Sequence, residues 1–181
     1  MGELELMPGE VQQAVASDLR LLWQLLDRAN EYSVRISGVQ AWQDVEGTRG
    51  DIRQELDAGQ IYVTRGEGGD IAAMIALDDS DSSWGDAGHD GSALYFFKYM
   101  KDPDKLPSGD GGLLRFAAQE ALRKDKTVLR CDAVADQPGI VEHYLKLGFK
   151  EKGRIAYESP KDREGILLEA PVTFLDLSHE R

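Results

Sequence analysis

The sequence predicts an α/β (α+β) fold, and three features carry that prediction. From Ala93 to Val134 an apolar, aromatic run, a glycine-rich turn, a segment of helical period and a second apolar run follow one another. From Gln60 to Leu77 two β-rich runs flank Gly66-Glu67-Gly68-Gly69, the pattern of a hairpin. Near the start, Val15, Leu19, Leu22 and Leu26 recur at helical spacing. Marking every such segment gives about six or seven strands and about four helices. They form a single domain over residues 1–181, a length that suffices for one full core.

Taken in order, Glu3 to Met7 reads as a short strand broken by Pro8-Gly9. From Glu10 a long amphipathic helix is expected to end near Asn30. Val34 to Trp42 is less regular, with Ser37-Gly38 as the break, and Gly50 to Ala58 reads as a second, short helix. After the hairpin, Asp78 to Ser92 is a polar connection with Trp84 and His89, expected as a flexible loop or as an acidic lip over a binding site. Ala93 to Met100 is the next strand. Leu114, Ala117, Ala118, Ala121 and Leu122 then mark a helix that opens at Leu113-Leu114 and closes on Arg123, Lys124 and Lys126, cations suited to its carbonyl end. Val128 to Val134 is a strand, and Pro138 suits the first turn of a further helix, with Asp136 or Gln137 as its cap. Lys150 to Ser159 is another strand, Pro160 to Gly165 a turn, and Ile166 to Leu175 the last strand. Pro171 lacks an N–H, which places that strand at a sheet edge or at a bulge.

The turn Ser108-Gly109-Asp110-Gly111-Gly112 stands directly before a helix. The first N–H groups of a helix have no partner inside it and sum with its dipole to a partial positive charge. Glycine lets a ligand come close, so strand, glycine turn and helix together build an anion site, with a pyrophosphate as natural guest. No G-x-x-x-x-G-K-[ST] is present, and the glycine spacing does not match the dinucleotide fingerprint, although Asp132 lies at a suitable distance for one.

Composition narrows the partners. Lys+Arg of 21 against Asp+Glu of 33 gives a net charge of -12, a surface that repels nucleic acid and anionic membrane. The same acidity attracts a cationic amine or simply serves solubility. One cysteine excludes an intramolecular disulfide and offers no zinc spacing, so no metal site is expected. With no long apolar run and no secretory leader, a cytoplasmic location is expected. Cys131 shares the alternating face of Leu129 and Ala133 and is expected to be buried; Asp132 points with Arg130 and is expected to pair with it, the other reading being that it accepts an amine proton.

The segment Val128-Leu129-Arg130-Cys131-Asp132-Ala133-Val134, continued by Gln137-Pro138 and by Tyr144-Leu145-Lys146-Leu147-Gly148-Phe149, closely resembles the GNAT superfamily of acyl-CoA-dependent N-acetyltransferases. The resemblance spans roughly Ala93 to Arg154, and its most specific part is the Tyr-x-x-x-Gly-Phe ending at Tyr144 to Phe149. It implies a GNAT-like central mixed, mostly antiparallel twisted sheet. It also implies acetyl-CoA as co-substrate and transfer of its acetyl group directly to an amine; the sequence does not specify the acceptor, with a small molecule preferred and aminoglycoside-like drugs, peptides and protein N-termini left open. Tyr99, Met100 and Lys101 would lend backbone groups to the pantetheine arm. Ser108, Gly109, Asp110, Gly111, Gly112 and Leu113 would hold the pyrophosphate, and Gln137 stands where the family usually has an asparagine near the cofactor. Tyr144 matches the general acid that protonates the departing thiolate; a phenol suits it, since its ordinary pKa of about 10 exceeds the roughly 8.5 of a thiol.

Two departures from the family pattern stand out. The turn is one residue short between Pro103 and Leu113, and Asp110 brings a carboxylate toward an expected anion. The central strand also lacks a glutamate, leaving Asp86, His89, Asp90 or a water chain as base candidates. Tyr32 and Trp42 are candidates for the acceptor pocket, against plain packing on the sheet. Binding of acyl-CoA or of an amine ligand without turnover, and a scaffold role, are the alternative functions, and a homodimer through the last strand is left open.

Overall fold

The computed structural model describes residues 10–158 and 162–174, so the strand expected at Glu3 to Met7, part of the Pro160 turn and the end at Leu175 lie outside the described residues. Seven strands form one sheet: β1 (Val11–Gln13), β2 (Ile61–Arg65), β3 (Ile71–Asp78), β4 (Ala93–Lys101), β5 (Val128–Val134), β6 (Lys150–Ala156) and β7 (Glu164–Pro171). Their order is β1-β2-β3-β4-β5-β7-β6. All neighbours are antiparallel except β4 and β5, which run parallel through a crossover helix. The expected mixed, mostly antiparallel α/β sheet is what the chain builds.

The helices are α1 (Leu19–Ser37), α2 (Val45–Asp57), α3 (Leu113–Arg123) and α4 (Pro138–Leu147). Leu22, Leu25, Leu26, Ile52 and Leu56 of α1 and α2 pack on one face of the sheet with Val63, Met74 and Met100. Leu114, Ala117 and Ala121 of α3 and Tyr144 and Leu147 of α4 pack on the other with Ile75, Phe96, Leu129 and Cys131. β3 is buried on both faces, its alternate residues feeding the two clusters.

Several boundaries differ from the sequence expectation for identifiable reasons. Residues Val11 to Gln13 pair with β2 instead of opening the helix, which starts only at Leu19 and runs to Ser37. Gly38 ends it in the left-handed conformation, φ 76°, as a C-cap glycine does. α2 begins five residues before Gly50, because the Asp44 carboxylate accepts from the Gly47 N–H and caps it. At α4 the expectation holds in position: Gln137 is the N-cap residue ahead of Pro138, although its side chain makes no capping bond because it is engaged with α1. The strand bearing Pro171 is not an edge: β7 lies between β5 and β6, and Pro171 is its last residue, where a missing donor costs little. β7 therefore has both sides paired, and among the described residues the sheet edges are β1 and β6.

Two irregularities in β4 open the sheet at its centre. Pairing with β3 steps from Ala76↔Phe97 to Met74↔Met100, so β4 carries one extra residue, and Lys98 in this bulge has φ 49°. On its other side, β4 pairs with β5 over only Ala93↔Val128 to Tyr95↔Arg130, although both strands continue. Beyond Tyr95 the two strands splay apart.

Candidate active site

The splay opens into a cavity of about 290 Å³. Phe96 to Tyr99 of β4 and Cys131 to Val134 of β5 form its two sides, Tyr144 of α4 reaches it from one face of the sheet, and Thr48 and Asp51 of α2 from the other. A closed sheet would separate these faces. The gap lets groups from both meet.

Its outer wall is the segment Ala41 to Asp44, fixed by polar contacts at both ends. Asn30 of α1 donates to the Trp42 carbonyl and accepts from the Trp42 N–H, both at 3.0 Å. Arg163, nearly fully buried, donates to the carbonyls of Ala41 (2.6 Å) and Gln40 (2.9 Å) and pairs with Asp136 at 2.9 Å. Gln137 donates to Ser33 Oγ, Ser37 Oγ and the Val39 carbonyl, which ties the start of α4 to the end of α1.

At the inner end, Asp132 of β5 accepts a hydrogen bond of 2.5 Å from the Tyr157 hydroxyl. Tyr157 follows β6, and its ring crosses toward β5 over Gly165 of β7: a Cβ there would stand 2.4 Å from the Tyr157 oxygen. Only glycine admits that crossing. Asp132 is packed deep but still reaches the cavity, and burial pushes its carboxyl pKa up, against the lowering contribution of the Tyr157 hydrogen bond. Burial likewise keeps the Tyr157 phenol protonated. Against the sequence expectation, Asp132 does not pair with Arg130; Arg130 is held instead by Glu169 at 2.7 Å and by the Tyr95 hydroxyl. Cys131 is buried as expected, and its thiol is pushed well up by desolvation, which leaves it unreactive.

Lys98, turned aside by the bulge, donates to Glu55 of α2 at 2.6 Å. Burial raises the Glu55 carboxyl despite that cation. Tyr144 is packed against Phe149 and Phe96 at ring distances of 5.4 and 5.9 Å, with Tyr99 at 6.3 Å, and lines the cavity together with Tyr99.

The turn before α3 is arranged differently from its expected role. Gly109, Gly111 and Gly112 all have positive φ, and the helix starts at Leu113. Asp110, buried, accepts from the Gly112 N–H (2.8 Å), the Leu114 N–H (2.9 Å) and the Tyr99 hydroxyl (2.6 Å). Gly111 lies against Thr64 of β2, where a Cβ would meet the threonine at 2.4 Å, and its carbonyl accepts from the threonine hydroxyl. Lys101 Nζ donates to the Gly109 carbonyl at 2.7 Å. Glycine here serves internal packing as well as any ligand. A diphosphate therefore fits this turn only through amides other than those of Gly112 and Leu114.

The remaining candidates separate clearly. Trp42 lines the cavity, whereas Tyr32 is half-exposed and stacks with Arg35. Asp86, His89 and Asp90 belong to a 3-10 segment, Ser82–His89 and the residue after it, that folds onto Arg130. The Ala87 carbonyl accepts from Arg130 and from Tyr95, and the Asp90 carboxylate accepts from Ser92. None of the three lines the cavity, so the segment is no lip over it. The Met100 side chain packs into the α1/α2 cluster, which leaves only its backbone for the splay. Sequence reasoning misses Tyr157, Lys98 and Arg163; the signal for Tyr157 is the isolated Gly165, which marks a close approach inside a strand. Among the described residues no group of His, Cys, Asp and Glu could hold a metal, and no helix is long and apolar enough to cross a membrane.

The fold recurs in solved proteins. An acetyltransferase of the GNAT family from Listeria monocytogenes 4b F2365 superposes with a TM-score of 0.67 at 19% identity, covering 90% of this chain and 94% of that one. A putative acetyltransferase of the GNAT family from Desulfovibrio desulfuricans gives 0.67 at 12% identity, covering 90% and 98%. The chain has the GNAT fold. Other GNAT-fold similarities agree: the ribosomal-protein-alanine N-acetyltransferase from Brucella melitensis matches with a TM-score of 0.59 at 16% identity, over 90% and 99% of the two chains. In sequence, the uncharacterized N-acetyltransferase YesJ of Bacillus subtilis (strain 168) is 27% identical over 151 residues, 77% of this chain and 81% of that protein. No family model matches the chain.

Proposed function

We propose that this GNAT-fold chain is a cytoplasmic N-acetyltransferase that moves an acetyl group from acetyl-CoA directly to a small-molecule amine. The observation that carries the reading is the splay of β4 from β5 opening on a cavity that Tyr144 lines. Support also comes from relatives and structural neighbours whose names are those of acetyltransferases. A thioester supplies an acyl group already activated toward an amine.

The backbone of Tyr99 to Lys101, beyond the last β4–β5 pair, offers N–H and C=O groups to an extended arm and to a developing oxyanion. Tyr144, packed among aromatic rings in the cavity wall, is the phenol placed to give a proton to the departing thiolate. At the turn, Ser108, Gly109, Gly111 and Leu113 remain the candidate contacts for a diphosphate, while Asp110 is already engaged. That engagement is the one observation that favours the alternative, ligand binding without turnover.

Thermal unfolding with and without acetyl-CoA tests the reading. Saturation at a hundred times the dissociation constant adds about 2.7 kcal/mol, a rise of roughly 5–10 °C for a chain of this size. Thiol release with a panel of primary amines then separates turnover from binding, and Tyr144→Phe should lower kcat by about 100-fold with KM little changed. A folded sample that shows no rise at millimolar acetyl-CoA overturns the proposal.

A further inference from the structure

An amine acceptor is an ammonium ion at neutral pH and has to lose a proton before it attacks a thioester. β4 carries no carboxylate in the splay, and Asp86, His89 and Asp90 lie elsewhere, so the proton needs another destination. The cavity holds three carboxylates, and they are not equivalent. Asp44 caps α2, and Asp51 sits on an exposed turn of the same helix, close to Lys98 at 3.9 Å. Asp132 alone lies on β5 at the splay itself, opposite the β4 bulge and in the same cavity as Tyr144.

We propose that Asp132, positioned by Tyr157, is the residue that binds the acceptor's ammonium group and takes its proton. This rests on the acyltransferase reading and names its missing base. The acceptor class follows: a primary amine of small cross-section, entering beside Trp42 and Asp51 into a space of about 290 Å³ whose charge is net acidic once Arg163 is held by Asp136 and Lys98 by Glu55.

The proton balance closes. The ammonium nitrogen gives one proton to the Asp132 carboxylate, which passes it to solvent, and its freed lone pair forms the C–N bond as the C–S bond breaks. Tyr144 gives its proton to the departing sulfur. The second proton lost by nitrogen restores the phenol.

The groups facing Asp132 agree with this task. Burial raises its pKa above that of an exposed carboxyl, Asp81 adds to that, and the Tyr157 hydroxyl, Lys98 and a backbone amide oppose it. Tyr157 itself faces Asp132, Cys131 and Arg163 and stays a donor. It is a positioning residue: its hydroxyl fixes the carboxylate and tempers its basicity.

The experiment compares wild type, Asp132→Asn and Tyr157→Phe with acetyl-CoA and a panel of linear and aromatic primary amines. Three readouts are taken: the acetyl-CoA-induced rise in Tm, kcat/KM and its pH profile. Asp132→Asn should keep the Tm rise and lose at least about 100-fold in kcat/KM. Tyr157→Phe should retain activity with the acidic limb of the profile moved to higher pH, because a hydrogen bond that lowers the Asp132 pKa is gone; a merely structural role would leave the limb in place. Turnover that is unchanged in Asp132→Asn overturns this assignment alone. A wild type that neither gains Tm nor releases thiol with any amine overturns the acyltransferase reading, and the assignment with it.

Discussion

Asp110 and Asp132 are both carboxylates packed inside the molecule, and they are provided for in opposite ways. Asp110 accepts from two backbone amides at a helix start and from the Tyr99 hydroxyl, so its charge is spread over three donors. Asp132 accepts from one phenol and faces a cavity. Tyr99 belongs to both regions, since its hydroxyl bonds Asp110 while its residue lines the cavity. The difference teaches how to read a buried acid: one enclosed by its donors at a helix start is a structural cap, and one that opens on a cavity is placed to meet a guest.

The sharpest way to break that contrast is to delete the cap. Asp110→Ala removes the acceptor of two amides at the helix start and of the Tyr99 hydroxyl, and should cost about 2 kcal/mol, read as a shift in denaturant midpoint at constant slope. A loss below about 1 kcal/mol would mean the turn rearranges and the contrast is not fixed by the fold.

The converse change sharpens it. Burial raises the folded-state pKa of Asp132 above its unfolded value, so its protonation favours folding fully at pH below the unfolded value, and that benefit is lost as pH rises through the folded value. Asp132→Asn, which removes the charge, should therefore raise Tm relative to wild type at neutral pH, with the gap closing as the pH falls toward the ordinary carboxylate range. Scanning calorimetry across that interval reads it. A constant gap, or a lower Tm at neutral pH, would place Asp132 among the structural acids. The smallest effect is expected where neither rule applies: Asp90→Ala, on the segment folded over Arg130, should leave kcat/KM within about twofold in the thiol-release assay.

Much of this molecule is legible in its sequence because its strongest signals are local. The α3 helix and the β5 strand stand where hydrophobic period and flanking charge place them, and the Cys131 face is buried as alternation predicts. Tyr-x-x-x-Gly-Phe puts Tyr144 in the cavity wall. The failures are nonlocal. Val11 to Gln13 looks like a helix entry until β2 offers it a partner some 50 residues away in sequence, and Pro171 looks like an edge until its strand is seen to end there. Arg130 and Asp132 share a face, yet Glu169 and Tyr157, both from the last hairpin, claim one each. The expected phosphate turn shows the limit of motif reading, since positive φ at three glycines serves Thr64 and Asp110 as readily as an anion.

The bulged Lys98 also couples the splay to the last turn of α2, beyond the part of that helix that lines the cavity. Because its ammonium is bound to Glu55, with Asp51 at 3.9 Å, the inner side of the splay is strapped to α2, whose Ile52 and Leu56 pack in the apolar cluster on that face of the sheet. A guest that moves Lys98 would act on that strap, so amide hydrogen exchange near Glu55 becomes a gauge of occupancy. Protection there would rise and fall with filling of the splay, reported by a helix turn that has no part in the chemistry.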